Sequence, residues 1–367
     1  MKRFALLLLV LLLTACQEPP KPGAELSATD LLSSLDQAGF ARATQPRDFR
    51  FPQDHGGHPE YRNEWWYLTG NLQSKDGRRF GYQVTFFRFG LTPPNTIQNA
   101  SSWVGNPVWM AHVAITDAHG KRHLSEERLT RAGPGLAGVA TTPFRVWTED
   151  WQLRAEGSKF PWHLDLKTRA FSLTLAVEPG VEVVLQGERG LSRKSAEPGN
   201  ASYYYSYPRL RTAGTISLDG ETVAVQGDSW LDREWGTSAL SPEQSGWDWF
   251  SLQLNDGDNL MFYRLRGRDG KDDPHSAGSL TGADGATRRL DLEDIELTPL
   301  RWWQNPAGIS YPVEWEMRIK SRDRTLRIKP LLDDQEMDHT VRYWEGAVEV
   351  FEGQTPVGRG YLELAGY

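Results

Sequence analysis

The segment Gly227-Asp-Ser-Trp-Leu-Asp-Arg-Glu-Trp-Gly236 sets two carboxylates, Asp232 and Glu234, among tryptophans. In an extended strand every second side chain shares a face, so Trp230, Asp232 and Glu234 fall together. The two carboxylates are then roughly 6–7 Å apart, from a rise of about 3.3 Å per residue. A carboxyl desolvated by aromatic walls has a raised pKa, which suits it to protonate an alkene or a leaving group. The competing reading is structural: Asp232, Arg233 and Glu234 as an ion-paired barrel rim.

A second polar set lies upstream. His55 and His58 stand near Asp54 and Glu64, and His-x-x-His brings two imidazoles close enough to share a metal. No helix carries them and no third ligand stands at clear spacing, so the expectation is a hydrogen-bonded loop around the strand Glu64-Trp65-Trp66, with no metal and no cofactor. His112, level with Met110 and Ala114, reads as a satisfied core histidine, with an acid/base role in a pocket as the alternative. Tyr203, Tyr204 and Tyr205 line a pocket mouth or cap a domain junction. The tryptophans at 65–66, 247–249 and 302–303 read mainly as core and inter-domain packing. The residues expected to touch a ligand are Trp65, Trp66, Tyr67, Tyr204, Tyr205, Trp230, Trp235 and Tyr263, with Asp232, Glu234 and His112 as the catalytic candidates.

The elements that must position these groups are mostly strands. Phe171, Leu173, Leu175 and Val177 alternate, as do Val313, Trp315, Met317 and Ile319. Asp-Gly turns at 76–77, 219–220, 256–257 and 269–270, with His119-Gly120, separate apolar-aromatic runs in the manner of an antiparallel meander. One helix is expected over residues 28–41. Residues 61–90 resemble 203–236, and 108–123 resemble 248–263, which predicts two similar β-barrels joined near residues 198–200.

The chain has 367 residues, 41 Lys+Arg against 48 Asp+Glu, and a formal charge of −7, which argues against nucleic acid as a partner. No GxGxxG, GxxxxGK[ST], GxSxG or HExxH pattern occurs. The start MKRFALLLLVLLLTA reads as a signal peptide over 1–15, too short to span a bilayer. It ends in a lipobox, Leu13-Thr-Ala-Cys16, so Cys16, the only cysteine, is expected to be lipidated. Residues 16–45 then form the tether and helix. Gln17, in place of an aspartate, favours the outer membrane, on its periplasmic side.

The stretch Phe51-Pro-Gln-Asp-His-Gly-Gly-His-Pro-Glu-Tyr-Arg-Asn-Glu-Trp-Trp-Tyr-Leu-Thr-Gly70 resembles the N-terminal signature of the AttH-like family, which includes carotenoid 1,2-hydratase. The 227–236 segment and the ending Trp344-Glu-Gly-Ala-Val348 and Gly360 to Tyr367 resemble it too. The resemblance covers about residues 46–367. It implies an all-β chain of two tandem lipocalin-like barrels, over 46–199 and 200–367, and a pocket for a lipophilic or polyene-like molecule. In the hydratases the segment reads His-Asp-His-Asn-Trp-Gly. Asp232 therefore matches the acid, while Leu231 and Arg233 replace the histidines. The resemblance also implies association with an ABC exporter, with its permease as partner. Two functions follow: a membrane-anchored hydrolase or hydratase of an apolar molecule, or a non-catalytic carrier of a lipophile serving that exporter.

Overall fold

The computed structural model describes residues 26–27, 38–94, 107–133, 135–157, 159–237 and 240–367. The expected signal peptide, Cys16, most of the tether and residues 28–37 of the expected helix lie outside them; residues 38–40 form a turn and bend. Leu26–Ser27 pairs in parallel with Val341–Arg342.

The described chain is nearly all strand, as expected, and forms two large sheets of 13 and 11 strands that are otherwise antiparallel. The strands that build the site are β1 (Asn63–Ser74), β2 (Arg79–Phe89), β3 (Val108–Asp117), β4 (Arg122–Arg131), β5 (Ala201–Leu218) and β6 (Glu221–Gly236) in the first sheet. In the second they are β7 (Gln244–Leu254), β8 (Asn259–Gly267), β9 (Val341–Glu352) and β10 (Thr355–Ala365). The first sheet runs from β4 through β3, β2, β1, β6 and β5 to five strands drawn from residues 137–179. It curls until its edges nearly meet: Arg128 on β4 pairs with Asp150 and reaches the Thr148 carbonyl at 3.3 Å. The second sheet runs from Thr287–Asp291 through β8, β7, β10 and β9 to Ile295–Gln304, and a single 3-10 turn joins these two outer strands.

Period-two alternation explains both cores. Phe171, Leu173, Leu175 and Val177 point into the first barrel, and Val313, Trp315, Met317 and Ile319 into the second, all buried as the pattern predicts. Each such side chain contributes about 1.5–3 kcal/mol by leaving water. The hairpin β5–β6 closes on Asp219-Gly220, both at positive φ (54° and 82°), the geometry a two-residue hairpin turn with right-handed twist requires.

The domain junction differs from the expected 199/200. Residues 201–236 form β5 and β6 of the first sheet, where β6 pairs with β1 along its length, and the chain crosses to the second sheet only between Gly236 and Gln244. The hairpin similar to 61–90 is thus a second hairpin of the same barrel. Trp302, expected as packing, is 53% exposed on an outer strand.

The barrels meet through outer faces of β1–β3, β5 and β6 on one side and β7–β10 on the other. Asn71 donates to the Gly360 carbonyl at 3.0 Å, Gln253 to the Pro208 carbonyl at 2.8 Å, and Arg79 pairs with Glu349 at 2.8 Å. At Gly81 the walls come so close that a Cβ there would collide with that of Ala347 and press on the Tyr361 hydroxyl.

Candidate active site

Alternation on β6 sends Trp230, Asp232 and Glu234 to the barrel interface and Leu231, Arg233 and Trp235 into the first barrel. The same rule sorts the other expected ligand residues. Trp65 and Tyr67 on β1, Tyr204 on β5 and Tyr263 on β8 face a cavity between the barrels of about 140 Å³. Trp66, Tyr205 and Trp235 do not reach it, because odd and even positions of a strand cannot share a face; they belong to the first barrel's core. Trp230 lies beneath the cavity wall, where its indole donates to Asp232. Tyr203 also turns inward and donates to the Gln45 carbonyl at 2.9 Å.

Asp232 is 3% exposed and accepts from Ser206 at 2.5 Å, from the Trp230 indole at 2.7 Å and from the Tyr204 hydroxyl. Trp249 of the second barrel donates in turn to Tyr204 at 3.2 Å. Burial pushes the Asp232 carboxyl up to about 7 despite these three donors, with a further push from the Glu234 charge. Glu234 accepts from Ser202 and pairs with Lys194 at 3.1 Å. Burial opposes the charge on Lys194, yet Glu234 holds its ammonium above the usual range; the ammonium also lies 4.2 Å from the Tyr263 ring centre.

The second barrel supplies two carboxyls that the sequence pattern did not single out. Glu345 on β9 and Glu363 on β10 are cross-strand partners, and both line the cavity. Glu363 accepts from the Trp247 indole at 2.9 Å; burial first, then Asp232 and Glu234, push it up to about 7. Neither oxygen of Glu345 has a well-formed hydrogen bond, nor does the Tyr67 hydroxyl. Burial, with Glu363 nearby, drives Glu345 well above the carboxylate range, and the neighbouring Tyr67 and Tyr343 hydroxyls only temper the rise. The signal was there: Trp344-Glu-Gly346 and Leu362-Glu-Leu364 each set an acid on the face opposite a core residue. Phe87, Phe89, Met110, Leu240 and Val341 complete a largely apolar lining.

His112 also lines the cavity, with both ring nitrogens engaged: Nδ1 lies 2.7 Å from the Tyr343 hydroxyl and Nε2 2.9 Å from Glu127. It is a hydrogen-bonded, buried histidine that also stands in the cavity wall.

The Asp54–His55–His58–Glu64 set lies beneath the cavity floor, inside the first barrel. Glu64 is fully buried between Arg233 and Arg88, and also accepts from the His58 amide at 3.0 Å. Burial alone would raise its carboxyl; the two guanidiniums instead hold it well below the ordinary range. His58 bonds Asp54 at 3.1 Å and stacks on Trp235, and His55 bonds the Tyr205 hydroxyl at 2.7 Å. Burial, with Arg233 nearby, depresses His55 to about 3. Arg233 thus has its partner in Glu64 rather than in Asp232 or Glu234, while Glu234 pairs with Lys194 on the other face of β6.

The fold and site define a β-barrel pair with a buried, carboxyl-bearing, largely apolar cavity at its interface. The chain belongs to the AttH-like family, whose model matches residues 42–367. A crystal structure of a Nitrosomonas europaea protein designated AttH is 35% identical, covers 89% of this chain and 100% of its own, and superposes with a TM-score of 0.80. The structure of kievitone hydratase from Nectria haematococca shares the fold at 15% identity, with a TM-score of 0.65 over 91% of this chain and 98% of that one. In sequence, kievitone hydratase of Fusarium solani is 25% identical over 140 residues, 37% of this chain and only 39% of that relative.

Proposed function

We propose that this protein adds water to, or removes it from, a lipophilic small molecule held between the two barrels. The observation that carries this reading is Asp232, a carboxyl buried in an apolar cavity and pushed up to about 7, so that it holds a transferable proton near neutral pH. In the hydration direction Asp232 gives its proton to one alkene carbon. A water oxygen bonds to the other carbon and loses a proton to a second cavity carboxylate, Glu363, the cross-strand neighbour of Glu345. Lys194 and Glu234 keep the far wall polar and charge-balanced. The hydratase relatives support water addition over hydrolysis, as do the cavity hydroxyls: Ser202 donates to Glu234, and Thr85 accepts from Gln83. Neither is activated by a histidine as a nucleophile would be.

The test begins with native mass spectrometry of the protein purified from its own membrane, to identify a co-purifying lipophile. That molecule, incubated in ¹⁸O-water with the protein, should take up one labelled oxygen, and Asp232→Asn should abolish the uptake. A bound lipophile recovered unchanged by both proteins would instead support the carrier reading, in which cargo passes to or from an ABC exporter. We assign the protein to the periplasmic face of the outer membrane through Cys16; Cys16→Ala should move it to the soluble fraction, and continued membrane association of the cleaved variant would end that assignment.

A further inference from the structure

A buried acid that gives or takes a proton at each turnover needs a way to exchange it with solvent. Asp232 has none in sight: its partners Ser206, Trp230 and Tyr204, and Trp249 beyond Tyr204, are all buried and none of them reaches solvent. Glu345 differs. It is 1% exposed, and neither of its oxygens has a well-formed hydrogen bond. On the same face of β9, two residues away, stands Tyr343, whose hydroxyl lies 2.7 Å from His112 Nδ1 across the barrel interface. His112 Nε2 lies 2.9 Å from Glu127 Oε2, and the Glu127 side chain, 16% exposed on the outermost strand β4, reaches solvent. The other Glu127 oxygen accepts from Thr340 at 2.6 Å, which fixes its rotamer.

We propose that Glu127, His112 and Tyr343 form a proton path from solvent to Glu345, and that Glu345 is the carboxyl that exchanges protons with the cavity contents. Its use in turnover rests on the hydratase reading above; its existence does not. With Glu127 protonated, its O–H donates to Nε2, Nδ1–H donates to the Tyr343 oxygen, and the Tyr343 O–H turns to Glu345. One concerted shift breaks the Glu127 O–H as Nε2–H forms, and breaks Nδ1–H as a new Tyr343 O–H forms. The old Tyr343 O–H breaks as Glu345 gains its proton. One negative charge moves from Glu345 to Glu127, and His112 changes tautomer. Run backward, the same shift exports a proton.

The surroundings fit this role. Phe87 and His339 pack against His112, with the His339 ring centre 5.5 Å away; burial and His112 together depress the His339 imidazole. Among the described residues Glu345 faces Tyr67, Tyr343, Tyr361 and Glu363 with no cation paired to it, so burial and the Glu363 charge favour its protonated form.

Infrared spectroscopy of the intact protein tests the path without any substrate. Near neutral pH, Glu345→Gln should remove one protonated-carboxyl band from the spectrum. On mixing with D₂O, the rate at which that band shifts reports proton exchange at Glu345. Tyr343→Phe keeps the ring and removes the hydroxyl. Glu127→Gln, at the solvent-facing end where folding is least at risk, keeps the hydrogen bonds to His112 and Thr340. Each should slow exchange by about 100-fold, the low end of what a positioned proton donor contributes. Tyr361→Phe, beside the same carboxyl but off the path, should exchange at the wild-type rate. Wild-type exchange in both path variants overturns the proposal, as does equal slowing in Tyr361→Phe or the absence of a Glu345 band. If exchange follows the expected pattern and no water is ever added to a lipophile, the path stands and the hydratase reading falls. Water addition with uniform exchange rates across the variants removes the path and leaves the hydratase reading in place.

Discussion

The two faces of the paired strands β1 and β6 carry opposite carboxyl chemistry. Beneath β6, Glu64 is fully buried and ionised, because Arg233 and Arg88 both reach it. Above it, Asp232 is as deeply buried, accepts three neutral hydrogen bonds, is ion-paired to no cation among the described residues because Lys194 is held by Glu234, and is pushed up toward neutrality. Burial is shared, so it cannot be what separates them. What separates them is whether the compensating groups are charged: guanidiniums fix a permanent anion, while hydroxyls and an indole leave a proton free to move.

The strongest way to break the contrast is to remove the cation. Arg233→Met leaves buried Glu64 with Arg88 as its only guanidinium partner and should cost about 3 kcal/mol in urea unfolding. Asp232→Asn, one residue away and facing the cavity, keeps the volume and most hydrogen bonds. It should leave the unfolding midpoint nearly in place while turnover of the identified lipophile falls by about 100-fold or more. A collapse of stability in Asp232→Asn with normal turnover per folded molecule would reassign Asp232 to structure.

The pH dependence of stability should separate the two faces by sign. Asp232 rises from 3.8 to about 7 on folding, so its contribution is fully present below 3.8 and is lost as pH climbs toward 7. The loss is about 1.4 kcal/mol per pH unit. Glu64 is lowered from 4.5, so its contribution is present above 4.5 and is lost as pH falls below it. Melting temperatures measured from acid to neutral should therefore show a falling limb between about pH 4 and 7, to which Glu363 and Glu345 also contribute, and which Asp232→Asn makes shallower. An unchanged limb in that variant would remove Asp232 as its source. The smallest effect belongs to the exposed pair Asp48–Arg189, 3.2 Å apart with both side chains more than two-thirds exposed; Arg189→Ala should leave the melting temperature unmoved.

Much of this was legible in the sequence, and the rest fails for identifiable reasons. Alternation found the inward faces at 171–177 and 313–319, and placed Trp230, Asp232 and Glu234 together. The Asp-Gly turns marked hairpins correctly, but a hairpin signal does not say which sheet adopts it, and that moved the junction from 200 to beyond Gly236. Pairing of β6 with β1, which brings Trp65 opposite Glu234, spans too much chain for local pattern to reveal. Lys194 follows a short strand paired with β5, while Glu345 and Glu363 come from the second sheet, so only the meeting of two outer walls makes these acids part of one site. Nearness in sequence to the acids does not make an aromatic a ligand residue. The alternation that placed the acids correctly also turns Trp66, Tyr205 and Trp235 to the other side.

Gly81 carries a consequence for what the cavity admits. Each barrel has a complete core of its own, so either can shift slightly as a rigid unit without exposing its interior. Where β2 touches Ala347 and Tyr361, the missing side chain lets the walls close to backbone distance. A single methyl there would act as a wedge, prying the barrels apart and enlarging the chamber beside it. The spacing of the two barrels is therefore gauged by a residue outside the cavity lining, so the room between them can change with no change in the residues that face it.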